Sequence, residues 1–192
     1  MGEIDKLSPD ILQKSLIVFA LESEAAGEFD GYSCLFTGIG KVNAAVSLTE
    51  SLSVDRPEMI VNLGSAGSAT FKRGEVVCCT SFIQRDMDVR GLGFDLYETP
   101  LSGIGVPLRY GLKIAGIGDA VCGTGDSFEM NHQSKDYQVV DMEAYPLALI
   151  ARRNNIPFLC LKYISDGADG TAADDWNIHV HKAAEALKKV LF

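Results

Sequence analysis

The sequence predicts an α/β fold, a three-layer α/β/α sandwich around a mixed, largely parallel sheet. Three observations lead there. Apolar runs flanked by glycine alternate with amphipathic stretches along the chain. The runs are continuously apolar, as expected of strands buried on both faces. The 192 residues carry no repeat, linker or low-complexity tract, which suits one domain spanning 1–192.

Taken in order, the expected strands are Leu16 to Leu21, Met59 to Leu63, Val76 to Phe82, Leu112 to Val121 and Phe158 to Ile164. A first helix is expected from Lys41 to Leu52, after a glycine turn at Gly38 and Gly40. It would bury Val42, Ala45, Val46 and Leu52 and stop before Pro57. A second begins near Glu143, tolerates Pro146 in its first turn, buries Leu147, Ala148, Ile150 and Ala151, and ends at Asn154, Asn155 and Pro157. The last runs from about Asp174 to Leu191. Trp176, Val180, Ala183, Leu187 and Val190 keep helical spacing there, and acids at its start and Lys188 and Lys189 at its end suit the helix dipole. Residues 84–111, with Pro100 and Pro107 and no clear period, read as a long irregular excursion.

Composition narrows the function. A formal charge of -9, from 26 acidic and 17 basic residues, leaves no basic stripe to follow phosphates, so nucleic acid is not an expected partner. No apolar run approaches the roughly 20 residues that span a bilayer, and no signal segment opens the chain. The expectation is a cytoplasmic protein without a membrane partner. The cysteines Cys34, Cys78, Cys79, Cys122 and Cys160 lie mostly in apolar runs and read as reduced core thiols. With His132, His179 and His181 they make no metal-ligand pattern, so no metal or cofactor is expected.

In α/β folds ligands bind beyond the carboxyl ends of strands. Those positions hold Glu22 and Glu24, then Asn62 to Gly67, then Gly123 to Phe128, and finally Ser165 and Asp166, with Asp141, Met142 and Glu143 before the second helix. Several carboxylates without a metal cluster suit acid/base chemistry through a cationic transition state. Alone, each residue has a plainer reading. Glu143 could serve a helix dipole, Asp166 a cap, Phe128 the core and Glu24 the wetted surface.

Together these segments resemble the purine nucleoside phosphorylase and nucleosidase superfamily, and within it the 5'-methylthioadenosine/S-adenosylhomocysteine nucleosidases. The residues that carry the resemblance are Ala20 to Glu24, Gly38 to Val42, Asn62 to Gly67, Gly125 to Phe128, Asp141 to Ala144 and Ile164 to Asp169, in the family's order. Gly38-Ile39-Gly40 lacks the third glycine of a dinucleotide turn. The chain is shortened between Glu24 and Gly38 and between Phe128 and Asp141.

The resemblance implies hydrolysis of the N-glycosidic bond of a purine nucleoside, with adenine the expected base. By it, Asp166 is the general acid at purine N7, with Ser165 orienting it, and Glu24 is the base that activates water. Glu143 takes the ribose hydroxyls, and Met142 packs on the sugar. Phe128 covers the base, whose edge the Glu129 backbone reads. Ser65, with Ala66 and Gly67, lies where the nucleophile sits. Leu21 and Ile39 complete the substrate site, and Trp176 stands where the nucleosidases have phenylalanine near the 5' substituent. A phosphorylase of the same fold would need cations at the nucleophile, for which Arg85, Arg90 and Lys41 are the candidates. Futalosine or nucleotide hydrolysis, or nucleoside binding with little catalysis, are the other readings. A homo-oligomer, most simply a dimer, is implied as well, and Met87, Leu92, Phe94, Leu96 and Tyr97 have no obvious place in the core.

Overall fold

The computed structural model describes residues 2–192, without the side chains of residues 177, 178, 180 and 181. Val180 of the expected helix stripe and the ring of His181 therefore lie outside the described residues. In chain order the elements are β1 (Glu3–Ile4), α1 (Pro9–Gln13), β2 (Ser15–Phe19), α2 (Glu22–Ala25), β3 (Cys34–Phe36), α3 (Lys41–Val54), β4 (Met59–Gly67) and β5 (Val76–Gln84). They continue with β6 (Leu108–Arg109), β7 (Lys113–Ile114), β8 (Asp119–Thr124), β9 (Val139–Asp141), α4 (Ala144–Arg153), β10 (Phe158–Asp166) and α5 (Ala172–Leu191).

β4 and β10, two of the three nine-residue strands, form the centre because nearly every residue in them can be buried. They pair in parallel from Phe158 opposite Ile60 to Asp166 opposite Gly67, with an irregularity between Ile164 and Asp166. On the far side of β4 lie β2 and then β3, both parallel. On the far side of β10 lies β5, antiparallel, followed by β8 and β9. β9 returns to β4 through the pair Gly67 and Val140, so β4, β10, β5, β8 and β9 form a closed circuit. That closure brings the ends of β4, β9 and β10 together.

Both faces are covered. Ile17, Phe19, Val61, Leu63, Leu159 and Leu161 point into one cluster with Leu187 and Leu191 of α5. The alternate residues Val18, Ile60, Phe158 and Cys160 point into another with Leu48 of α3 and Leu147 of α4. Period-two alternation between two apolar clusters is why the strands read as unbroken apolar runs.

Two expectations fail. Residues 112–121 do not form one strand, since the chain breaks between β7 and β8 at Gly116, whose φ of +78° reverses its direction. The buried face of α3 is also not the expected one. Ala44 and Leu48 are fully buried and Leu52 packs beside them, whereas Val42 and Val46 are 71% and 50% exposed. Apolar residues occupy both faces of this helix, so the pattern alone does not say which face meets the sheet. In the excursion, Tyr97 finds a place against Tyr137 and Ile83, while Leu92 stays exposed. Among the described residues no helix is long and apolar enough to cross a membrane. All five cysteines are free, and burial pushes the Cys78 thiol up to about 12.

Candidate active site

Where β2 ends, the chain makes the single turn α2. Residues two apart on a turn point in different directions, so Glu22 is exposed while Glu24 turns inward and is only 4% exposed. Of the two acids that follow β2, only Glu24 thus faces the interior. Glu24 Oε2 accepts the Leu21 amide at 3.2 Å. Its Oε1 accepts the Ser65 amide at 2.8 Å and the Ser65 hydroxyl at 2.7 Å. Trp176, near the start of α5, donates its indole Nε1 to Ser65 Oγ at 2.9 Å.

Asp166 closes β10. Its Oδ2 accepts from Ser165 Oγ at 2.7 Å and its Oδ1 from the Ala168 amide at 2.9 Å. Burial dominates and raises its pKa, against the lowering effect of those two hydrogen bonds.

Glu143 is the residue that precedes α4, where Oε1 accepts the Gly40 amide at 2.8 Å from the start of α3. The glycine turn, with φ of +79° at Gly38 and +99° at Gly40, aims that N–H at the carboxylate. Burial first, and then the charge of Asp141, push Glu143 up to about 7, while Lys162 and the Gly40 N–H pull the other way.

Beneath Glu143 lies a pair the sequence reading did not single out. Lys162 Nζ meets Asp141 Oδ2 at 2.9 Å, with both side chains at most 3% exposed. Asp141 also accepts from Thr124 Oγ1 at 2.6 Å and from the Ala144 amide at 2.8 Å. Burial opposes charge on both partners, yet each holds the other ionised. The Asp141 carboxyl lies below its usual value and the Lys162 ammonium well above its own. The signal was present as a lysine inside the apolar run Phe158 to Ile164, because a charge in a doubly buried strand requires a partner.

One cavity of about 280 Å³ gathers the expected residues. Leu21, Glu24, Ile39, Ser65, Ala66, Gly67, Phe128, Glu129, Met142, Glu143, Asp166 and Trp176 all line it, and Ser165 stands behind Asp166. Phe128 is 46% exposed, which removes the core reading for it. Of the three candidate cations, Arg85 joins the lining. Its guanidinium donates to the Ser127 carbonyl, to Ser127 Oγ at 3.0 Å and to Glu129 at 3.4 Å. Lys41 is held by Asp86 at 2.6 Å, and Arg90 pairs with Asp88 at the surface. All three candidate phosphate-binding cations are thus engaged by neighbouring acids. Among the described residues no cluster of His, Cys, Asp or Glu could hold a metal ion.

With this geometry, comparison with known proteins is direct. A sequence model of the Phosphorylase superfamily matches residues 26–192, and the chain belongs to that superfamily. Within it the similarity runs to proteins named 5'-methylthioadenosine/S-adenosylhomocysteine nucleosidase. The one from Marinomonas sp. (strain MWYL1) is 30% identical over 187 residues, covering 83% of this chain and 79% of the relative. The one from Anoxybacillus flavithermus is 28% identical over 209 residues, covering 95% and 88%. Solved structures share the fold. Futalosine hydrolase of Helicobacter pylori superimposes with a TM-score of 0.83 at 19% identity, covering 95% of this chain and 97% of that one. The nucleosidase of Neisseria meningitidis, in complex with methylthio-immucillin-A, gives 0.80 at 22%, covering 94% and 97%.

Proposed function

We propose that this protein hydrolyses the N-glycosidic bond of a purine nucleoside, with adenine nucleosides such as 5'-methylthioadenosine or S-adenosylhomocysteine as the leading substrates. The observation that carries the reading is the Glu24 carboxylate bonded to both the amide and the hydroxyl of Ser65. A carboxylate beside the nucleophile position can take a proton from water, and it repels a phosphate anion.

In this reading the purine lies against Phe128, with its edge toward Glu129 and its N7 toward Asp166. The ribose lies over Met142 with its hydroxyls on Glu143. Asp166, whose burial favours the protonated form, gives its proton to N7 as the electrons of the glycosidic bond pass into the purine. The ribose then carries oxocarbenium character, which the Glu143 carboxylate stabilises by charge and by hydrogen bonds. Water bonded to Glu24 attacks the anomeric carbon and its proton passes to Glu24, leaving free base and a ribose derivative. Ile39 lines the cavity while 49% exposed, and Val42 and Val46 continue that apolar surface along α3. A second copy of the chain covering it would close the site, and light scattering would report the dimer.

The test is chromatographic detection of free base from 5'-methylthioadenosine, S-adenosylhomocysteine, adenosine, inosine and futalosine, each with and without phosphate. Base release that ignores phosphate supports the reading, and strict phosphate dependence sinks it in favour of phosphorolysis. Asp166→Asn should lower turnover by orders of magnitude, whereas a mere binding module would show no turnover to lose.

A further inference from the structure

We propose that Trp176 is a positioning residue for the hydrolysis, acting through the Ser65 hydroxyl on the Glu24 carboxylate; this rests on the nucleosidase reading above. The direction of the hydrogen bonds is fixed by chemistry. An indole N–H can only donate and a carboxylate can only accept. Ser65 Oγ therefore accepts from Trp176 Nε1 at 2.9 Å and must give its single proton elsewhere, and Glu24 Oε1 is 2.7 Å away. The indole thereby removes the freedom of the hydroxyl to rotate toward another acceptor.

The consequence falls on Glu24. Its Oε1 is held by two donors from Ser65, and its Oε2 takes the Leu21 amide. With Oε1 pinned, the plane of the carboxylate is set, and so is the direction of the lone pair left on Oε2 for a water. The relay joins three distant parts of the chain, namely α2, the end of β4 and the start of α5. Glu24 needs that support, since α2 is a single turn of four residues. Because the chain of bonds is in series, Trp176 can influence Glu24 only while Ser65 is present. A phenylalanine would fill most of the same space but supply no N–H.

The experiment is a double-mutant cycle in which kcat and KM are measured for wild type, Trp176→Phe, Ser65→Ala and the double variant, on whichever nucleoside wild type cleaves. Trp176→Phe is expected to lower kcat by about 3- to 10-fold, the span of one neutral hydrogen bond, with KM nearly unchanged. In the Ser65→Ala background the same substitution should do nothing further to kcat. Effects that multiply, or a Trp176→Phe effect confined to KM and varying with the 5' substituent, would mean that the indole is only a pocket wall and would overturn the proposal. Trp176 is the sole tryptophan, so its emission tests the bond without catalysis. Ser65→Ala should shift the emission, and an unchanged spectrum refutes the relay. Absence of base release by wild type from any nucleoside would instead refute the nucleosidase reading, and this inference with it.

Discussion

The Asp166 carboxyl occupies the space that a side chain on Gly67 would need, with Oδ1 2.6 Å from where a Cβ would stand. Val140 and Ala168 close the same spot at 3.0 and 3.1 Å. Gly64 does the same for Glu24, whose Oε1 lies 3.1 Å from its missing Cβ. The glycines at both ends of Gly64-Ser65-Ala66-Gly67 are thus where the single strand β4 lets two carboxyls approach the sheet. Gly67→Ala should displace the acid by a sizeable fraction of an ångström. We expect kcat to fall by up to about 100-fold, with a stability loss of about 1–3 kcal/mol from overpacking. Steady-state kinetics and thermal denaturation of the same variant separate the two effects, and full kcat would show that the acid lies elsewhere.

Glu143 is expected to give the proposed activity a pH dependence. Burial holds its carboxyl neutral up to about 7, against 4.5 for an ordinary glutamate. If the ribose hydroxyls require the carboxylate, Glu143 should give kcat/KM a rising limb with its midpoint at about 7, opposed by a falling limb as Asp166 loses the proton it donates. Stability has the opposite sign. Below 4.5 the group is protonated in both folded and unfolded chains, so its contribution is fully present. Between 4.5 and about 7 the unfolded chain releases a proton that the folded chain retains, and stability falls as pH rises. Glu143→Gln should abolish the rising limb in kcat/KM and flatten the stability curve across that window. Retention of the limb would assign it to another group.

Arg85 predicts a loss of binding rather than of chemistry. Its side chain is 6% exposed and bonded to Ser127, Gly125 and Glu129, so it holds the loop that carries Phe128. Removing it frees the platform expected to cover the base. Arg85→Ala should raise KM by about 10-fold or more, as for a lost charge-assisted hydrogen bond, with a smaller change in kcat. A binding titration with free adenine would show the same loss, and unchanged affinity would mean that Phe128 does not depend on this anchor.

The parts of the fold legible in sequence were those with an unambiguous period. α4 buries Leu147, Ala148 and Ala151 as its pattern required, and β10 is buried along its whole length. α3 was legible as a helix from Lys41 but its buried face was not, because Val42 and Val46 are as apolar as Ala44 and Leu48, and only the packing of α3 on α4 and the sheet distinguishes the faces. The three-residue strands β3 and β9 are too short to carry a period and exist because a neighbour offers a ladder. For the candidate site, Glu24 and Asp166 follow strand ends that the apolar runs reveal, whereas the places given to Phe128, Met142, Glu143 and Trp176 came from the family resemblance. What the sequence could not convey was closeness across the chain. The Trp176–Ser65 bond joins residues 111 positions apart, and the Gly40–Glu143 bond joins residues 103 apart.

The buried pair Lys162 and Asp141 yields the strongest prediction for stability. Two charges removed from water gain little over an apolar pair of similar shape, but either one left alone is severely penalised. Lys162→Met would leave the Asp141 carboxylate buried with the Thr124 hydroxyl, the Ala144 amide and the Cys122 thiol as its remaining partners. It should cost about 3–5 kcal/mol. Asp141→Asn in the same chain removes the orphaned charge and keeps an oxygen to accept from Thr124, so the double variant should regain much of that loss. Denaturant unfolding of both variants gives the comparison. A double variant no more stable than Lys162→Met would mean that the lysine is needed for packing rather than for charge. Kinetics on the double variant add a second readout, because Lys162 works to lower the pKa of Glu143 and the Asp141 charge to raise it. Removing both charges takes away opposing effects, so the pH midpoint of kcat/KM should move less in the double variant than in Lys162→Met, where only the raising influence of Asp141 remains.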